Sequence, residues 1–277
     1  MPVNARASDR AIARFLDVVS RDATLRAALR GAEPTVHRVL SVPGAPPDTG
    51  LLYRLVEQAA ELPQEPVALD AGCGLGTLMV DIAKRRGGRW IGLTYSPIQA
   101  EKARALAQSR GLIGAVAVHL AAPDDPPEQA YDAVFAVEAV CRARDAAACL
   151  VALGRVLRPG GRLVLVEDMV EADGPERGAV ARQLRAPSLS GEAEWRRRIE
   201  AAGLVIIASE DLTPMVPAHS PAAVDRLAGR LATARRFVPL GDLRRALDAR
   251  LGVLGLERLI RKGQARYVML TAERQDE

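Results

Sequence analysis

A glycine-rich turn between an apolar strand and a helix constrains this chain more than any other feature. Residues 67–77 read Val-Ala-Leu-Asp-Ala-Gly-Cys-Gly-Leu-Gly-Thr. Glycines permit a tight turn and let a ligand lie against bare main chain at the N-terminus of the following helix. The dinucleotide-binding fingerprint is GxGxxG. Here the third glycine, Gly76, comes one residue early, and Thr77 holds the dinucleotide position.

The acidic residue before this turn narrows the choice of ligand. Asp70 ends the strand, so residues 70–76 have the pattern D-x-G-x-G-x-G. A carboxylate can receive an ammonium group directly or through water, while the loop amides face a carboxylate. The pattern favours a ligand with an amino-acid end and no pyrophosphate. The alternative is a plain strand–helix turn in which Asp70 acts only as a cap.

Strands and helices alternate along most of the chain, which predicts a parallel sheet with right-handed crossovers. After the strand at 67–71, strands are predicted at 89–93, 115–120, 131–137, 162–167, 204–209 and 266–272. Helices are predicted at 9–19, 22–29, 51–61, 76–86, 97–110, 145–157, 192–202, 221–235 and 241–260, and residues 171–190 read as a polar stretch.

This pattern predicts four segments. Residues 1–61 form an N-terminal helical segment that contributes to a substrate cap, and 62–208 form a Rossmann-like cofactor core. Residues 209–264 form a helical lid, and 265–277 form the final core strand and tail. With 277 residues and 49% hydrophobic composition, the chain suits one sizeable α/β domain with extra segments.

Composition excludes several classes of function. We expect a cytoplasmic protein because the N-terminus lacks an apolar signal and no apolar run approaches the roughly 18–20 residues of a membrane helix. The net charge is +4, with dispersed basic residues and 3% aromatics, which argues against nucleic acid as a partner. The three cysteines and three histidines have no metal-binding spacing, so no metal site is expected.

Four motifs then occur in order, at 70–76, 91–107, 131–140 and 153–168, the last with a Leu-Arg-Pro-Gly-Gly turn before a strand. In this order they resemble the class I S-adenosylmethionine (SAM)-dependent methyltransferases. The resemblance implies a Rossmann-like α/β fold: a seven-stranded, mostly parallel sheet with helices on both faces and the last strand inserted antiparallel. It also implies SAM as the cofactor.

The second motif, Gly-Leu-Thr-Tyr-Ser-Pro-Ile-Gln at 92–99, resembles the tocopherol, sarcosine/dimethylglycine and isoprenoid methyltransferases and the cyclopropane fatty-acid synthases. Thr94 and Gln99 would then replace the usual acidic residue at the ribose, since hydroxyl and amide groups can bond a diol. The cofactor contacts implied by the resemblance are Asp70, Gly72, Cys73, Gly74, Gly76, Thr94, Tyr95, Ser96, Gln99, Asp124 and Glu138.

Two positions depart from that pattern. The loop after the third strand carries Asp124 and Asp125, either of which would reach the adenine if the loop is shifted; the alternative is a solvated acidic loop. After the fourth strand the subgroup often shows E-x-x-x-H. Here Glu138 is kept, but Arg142 stands at the histidine position, so this chain does not use that histidine.

The catalytic candidates are Glu138, His37 and Asp168. Glu138 comes first because the motif places it near the methionine end of the cofactor; alternatively, it only bonds backbone amides of the cofactor loop. His37 would come from the N-terminal helices, and His219 from the lid is a further candidate. Asp168 and its neighbour Glu167 sit at the end of a strand, where ligands bind in parallel sheets.

The sequence thus predicts a SAM-dependent methyltransferase acting on a small, lipophilic or natural-product acceptor, at oxygen, nitrogen or carbon. Two alternatives stay open: a SAM-fold enzyme that does not methylate, such as a cyclase, and a non-catalytic SAM-binding protein. The predicted partner is a small-molecule acceptor, with no nucleic acid and no membrane, and a homodimer is left open.

Overall fold

The computed structural model describes residues 7–275. The first six residues of the predicted N-terminal segment and the last two of the predicted tail lie outside that range. The strands are β1 (Val67–Ala71), β2 (Arg89–Thr94), β3 (Val116–Leu120), β4 (Tyr131–Val137), β5 (Leu157–Val170), β6 (Leu204–Asp211) and β7 (Ala265–Arg274). The helices are α1 (Ala7–Arg30), α2 (Leu51–Ala60), α3 (Thr77–Arg86), α4 (Pro97–Ser109), α5 (Ala146–Val156), α6 (Pro175–Leu184), α7 (Glu192–Ala201), α8 (Pro221–Phe237) and α9 (Asp242–Arg261).

The seven strands form one sheet in the order β3-β2-β1-β4-β5-β7-β6. Strands β1 to β5 pair in parallel, and β7 lies antiparallel between β5 and β6. The predicted α/β class with a mostly parallel Rossmann-like sheet is confirmed. The chain order reverses at β1, between β2 and β4, and ligands in open parallel sheets bind outside the carboxyl ends of the strands at such a point.

Helices cover both faces of the sheet, because the central strands are apolar on both sides. On one face α2, α3 and α4 pack on Trp90 and Phe135, whose rings stack 5.8 Å apart. On the other, α5 and α7 pack with Trp195 in the core. Both tryptophans are fully buried. Their packing holds the helices against the sheet and so fixes the position of the sheet's carboxyl edge.

Three elements differ from the sequence prediction. The two predicted N-terminal helices are one continuous helix, α1, since no glycine or proline breaks it and Ser20 at its centre is buried. The polar stretch 171–190 contains α6, which begins with Pro175 and packs on α9 where Gly252 and Gly255 leave room for its side chains. Strand β5 begins at Leu157, earlier than predicted, because that residue pairs with Tyr131 across a bulge.

Of the lid helices, α9 lies against α6 and α1, and α8 packs on α9. They share only a small apolar cluster of their own, formed by Val224, Ala228 and Leu254. Between residues 7 and 275, no helix has the length and apolar character needed to cross a membrane.

Candidate functional site

The glycine loop connects β1 to α3 at the sheet's carboxyl edge. Its three glycines have φ values of +118° (Gly72), +53° (Gly74) and +79° (Gly76), which side chains rarely adopt. A Cβ on Gly72 would lie 2.4 Å from the Ala139 Cβ, and one on Gly74 would lie 2.5 Å from Val36 Cγ2. Close packing against Ala139 and Val36, as well as the positive φ angle, therefore requires glycine at both positions.

Asp70, at the end of β1, is buried, and both of its carboxylate oxygens lack a hydrogen-bond partner. Burial raises the pKa of Asp70 to about 7. A buried carboxylate without partners costs folding free energy, so such a group is usually kept for a ligand. The position suits a cationic donor arriving at the glycine loop.

The second motif forms a hydrogen-bonded cluster around the start of α4. Thr94 donates to Gln99 Oε1 over 2.6 Å, and Ser96 caps α4 by accepting from the Gln99 amide. Helix α1 joins this cluster: Ser96 donates to Asp17, and the Gln99 side chain donates to Ser20 Oγ over 3.0 Å. The polar groups predicted to meet a ribose are thus together, buried and covered by α1.

His37 lies in the segment between α1 and α2, and it is buried with neither ring nitrogen hydrogen-bonded. Its ring packs edge-on against Tyr53, with centroids 5.9 Å apart. Burial lowers the pKa of His37, partly offset by the charge of Glu138. The side chain is therefore a neutral imidazole with an unused acceptor nitrogen.

Glu138 follows β4 with a positive φ of +52° and is held by two donors. Its Oε1 accepts from the Arg38 amide over 3.0 Å and from the Tyr267 hydroxyl over 2.9 Å. The amide that Glu138 accepts from is that of Arg38 and does not belong to the glycine loop, which the sequence alternative named. These two bonds fix the carboxylate beside His37.

Asp168 is tied into a buried ion pair. The Arg38 guanidinium contacts both Asp168 carboxylate oxygens, at 2.6 and 2.7 Å, and lies 4.8 Å above the centre of the Tyr267 ring. Burial alone would lower the pKa of Arg38, but the carboxylates of Asp168 and Glu138 outweigh it and raise that pKa. Burial also raises the pKa of Asp168, although the Arg38 charge opposes that shift, so the pair is held by geometry and Asp168 is engaged with Arg38.

These side chains surround two adjoining spaces. The first, called here the cofactor cleft, is narrow, with a cavity volume of about 50 Å³, and is lined by Leu16, Val19, Val36, His37, Gly72, Gly74, Thr94, Tyr95, Gln99, Pro123, Val137, Glu138, Ala139 and Arg142. The second, called here the second chamber, has a volume of about 350 Å³ and is partly open to solvent. Val19, Val36, His37 and Glu138 line both spaces.

The second chamber is mostly apolar. Alanine and valine side chains of α1, of residues 32–39 and of α9 line it, together with Arg26, Glu33, Thr35, Arg38 and Thr49. Its α9 residue is Val253. Residues of 171–190 line a separate groove together with α8 and α9.

The remaining predicted residues fall into two groups. Tyr95 lines the cleft, whereas Cys73 is buried beneath the loop against Gly92, and Gly76 packs on Ala103. Asp124 is exposed and lines a surface groove, while its neighbour Pro123 reaches the cleft. The other candidates lie apart from both spaces: His219 bonds to Glu257 at the surface, and Glu167 accepts from the Cys141 amide.

Sequence reasoning missed four residues that organise the site: Arg38, Tyr267, Asp17 and Ser20. Arg38 adjoins His37, and Tyr267 lies on the final strand; neither belongs to a motif, so no local signal marks them. Arg142, noted only as a missing histidine, lines the cleft, and its guanidinium lies 5.6 Å above the Phe15 ring. Among residues 7–275, no three His, Cys, Asp or Glu side chains are grouped so as to hold a metal ion.

Together, the sheet order, the glycine loop after β1 and the polar cluster after β2 define the class I methyltransferase fold. Residues 69–165, about a third of the chain, match the protein family described as "Methyltransferase domain". The predicted resemblance to SAM-dependent methyltransferases is thereby confirmed.

Individual relatives agree with this class. The chain is 32% identical over 149 residues to O-methyltransferase resE of Aspergillus sclerotiorum, covering 52% of this chain and 56% of that protein. It is 29% identical over 178 residues to a dimethylglycine N-methyltransferase of Parasynechococcus marenigrum, covering 61% of each. The chain therefore spans less than two thirds of the length of these curated relatives.

A solved structure extends the similarity of fold to the whole chain. The [4+2]-cyclase SpnF superposes with a TM-score of 0.76 at 22% identity, covering 99% of this chain and 98% of that one. At this identity the likeness concerns the fold alone. It includes the N-terminal helix and the helices before the last strand.

Proposed function

We propose that this chain transfers a methyl group from SAM to an oxygen or nitrogen atom of a small, largely apolar acceptor. The observation that carries the proposal is Asp70, a buried carboxylate with two free oxygens beside a glycine loop. The residues fit the cofactor: Asp70 would receive its ammonium group, main-chain amides of the glycine loop would face its carboxylate, and Thr94 with Gln99 would bond its ribose. When bound, SAM supplies a methyl carbon activated by its sulfonium.

The residues shared by the two spaces support acceptor binding in the second chamber. His37 and Glu138 line both the cofactor cleft and the chamber, so an acceptor in the chamber meets the cleft beside them. The alanine and valine side chains in its lining favour an acceptor with an apolar skeleton.

His37 is the best-placed proton acceptor. Its free ring nitrogen would take the proton of an acceptor hydroxyl as the methyl group is transferred, and the nearby Glu138 carboxylate stabilises the resulting imidazolium. Arg38 and Tyr267 hold Glu138 in place for this purpose. A tertiary amine acceptor would need no base, and then His37 would only position it.

The test uses the purified chain, SAM, and a panel of phenols, alcohols and amines, with S-adenosylhomocysteine formation as the readout. We expect micromolar SAM binding by calorimetry and turnover with a hydroxylated apolar compound. His37→Gln should lower kcat by about 10²- to 10⁴-fold and leave SAM affinity within about threefold. His119→Gln, at an exposed position of β3, is the matched control.

Failure to bind SAM would contradict the proposal as a whole. Normal turnover by His37→Gln on a hydroxyl acceptor would remove His37 from the mechanism while leaving methyl transfer intact.

The similarity to SpnF supports one second candidate, because this similarity covers the cap as well as the core. That candidate is a cyclisation that uses the fold without methyl transfer. The two functions differ in one measurement. A cyclase would convert its substrate without forming S-adenosylhomocysteine, whereas a methyltransferase forms one equivalent for each product molecule.

A further inference from the structure

The turn between α8 and α9 exposes three large apolar side chains. Phe237 is 82% exposed, Leu240 is 93% exposed and Leu243 is 62% exposed. They lie within seven residues, at the end of α8 and the start of α9. Single exposed apolar residues are ordinary on protein surfaces, but a cluster at a protruding turn marks a surface that meets an apolar phase.

The net positive charge of the whole chain comes from the hairpin formed by α8 and α9. Residues 221–262 contain ten Arg or Lys and four Asp or Glu, a net charge of +6. The rest of the chain contains 28 basic and 30 acidic residues, a net charge of −2. The sequence expectation of dispersed basic residues therefore does not hold for this segment.

Part of this charge is exposed and unpaired. Arg226, Arg230 and Arg236 are exposed, and no acidic side chain within residues 7–275 forms an ion pair with them. At 3.6 residues per turn, positions 226, 230 and 237 fall on one face of α8. Two free guanidinium groups and Phe237 thus point from the same side of the helix.

The hairpin also adjoins the second chamber. Helix α9 is joined to α1 by Arg21–Asp242 and Asp22–Arg250 ion pairs, at 3.2 and 2.8 Å. Farther along α9, Val253 lines the chamber, opposite Arg26 and Ala27 of α1. The apolar turn is therefore at one end of the helix that borders the chamber.

We propose that the α8–α9 turn docks this protein reversibly on an anionic lipid bilayer, with Phe237, Leu240 and Leu243 inserted at the interface and the arginines facing the headgroups. Exposed apolar side chains flanked by unpaired cations match both features of such a surface. A protein partner would need a complementary patch of roughly 800 Å² on each side, whereas this feature is a convex turn. The docking does not depend on the proposed methyl transfer, although it would bring a lipophilic acceptor to the chamber.

The experiment is co-sedimentation of the full chain with vesicles of phosphatidylcholine alone and of phosphatidylcholine with phosphatidylglycerol. We expect binding to the anionic vesicles that weakens at least about tenfold between 0.05 and 0.5 M NaCl, because salt screens the headgroup field. Phe237→Ser/Leu240→Ser and Arg226→Glu/Arg230→Glu should each weaken binding at least about tenfold.

Matched controls separate the turn from general surface properties. Ile113→Ser removes an apolar side chain that is 70% exposed on another loop, and Arg89→Glu/Arg144→Glu makes the same change in net charge at exposed positions outside the hairpin. Both should bind vesicles like the parent chain. All variants should keep the parent's thermal unfolding and its SAM binding, so a failed methyltransferase assay would leave this result intact.

Three outcomes would overturn the proposal. The first is no binding to anionic vesicles at low salt. The second is binding that the controls weaken as much as the turn variants do. The third is a dimer in light scattering that Phe237→Ser/Leu240→Ser dissociates, since the turn would then be an interface between two copies of this chain.

Discussion

Asp70 couples the cofactor site to stability, because no group among residues 7–275 hydrogen-bonds to its buried carboxylate. Its pKa is raised to about 7 in the folded chain from 3.8. The raised pKa means that the free energy of unfolding falls as the pH rises from about 4 to about 7. In that range the Asp70 carboxyl ionises in the unfolded chain but stays protonated in the folded chain. At neutral pH the buried carboxylate therefore lowers the stability of the ligand-free chain, and a bound cation would offset this cost.

We predict that Asp70→Asn stabilises the ligand-free chain more at pH 8 than at pH 5, by roughly 2–3 kcal/mol in the free energy of unfolding. Urea unfolding at the two pH values measures the difference. The same variant should lose SAM affinity in calorimetry, because the amide offers the ammonium group no charge. A stability gain that is equal at both pH values would mean that Asp70 does not titrate in this range.

The Arg38–Asp168 pair predicts a different pattern. Removing one member of a buried ion pair leaves an unpaired charge and typically costs about 3–5 kcal/mol. We therefore expect Arg38→Met and Asp168→Asn each to destabilise the chain by about that amount in urea unfolding, and the double variant to be less destabilised than the two losses combined. Strictly additive losses would show that the two side chains are not coupled.

At the scale of elements, the glycine loop was predictable because its function depends on local sequence. Glycine spacing, the preceding Asp70 and the following helix are all within eleven residues. The polar cluster at 94–99 was predictable for the same reason. In contrast, Asp17 and Ser20 reach that cluster from α1, about 79 residues earlier in the chain, and no local pattern records such a contact.

The boundaries of the predicted strands and helices show the same contrast between local sequence signals and long-range contacts. The strands and the antiparallel β7 follow from apolar patterning and from the resemblance, and they agree with the structure. The predicted break between two N-terminal helices was wrong, and so was the predicted absence of a helix in 171–190. Tertiary packing determines the structure of both segments. Ser20 is buried against α4, and α6 is held by α9, whose glycines let Val180 and Leu184 approach.

A substitution in the loop separates backbone angle from close approach. Gly72→Ala introduces both a disfavoured φ of +118° and a 2.4 Å contact with Ala139 Cβ. Gly203→Ala introduces a disfavoured φ of +78° with open space around it. We expect Gly203→Ala to cost about 1 kcal/mol and Gly72→Ala at least about twice as much, measured by urea unfolding. Equal costs would mean that Ala139 moves aside freely.

At the scale of the whole molecule, stability is concentrated in the sheet. Every residue of β4 but one is buried, whereas α8 buries only Val224 and Ala228 among its 17 residues. Local opening follows the number of buried apolar contacts. Helix α8 should therefore open without unfolding the rest, which a segment that meets another surface requires, whereas Leu256 and Leu259 anchor α9 in the main core.

Limited digestion with trypsin tests this difference within one chain. We predict that cleavage after Arg226, Arg230 and Arg236 is at least about tenfold faster than cleavage after Arg89 and Arg144, although all five residues are exposed. Proteases need an extended backbone, so the rates report how often each segment opens and not only its exposure. Mass spectrometry of timed samples gives the rates. Comparable rates at all five sites would mean that α8 opens only when the sheet does, and the chain would then behave as one cooperative unit.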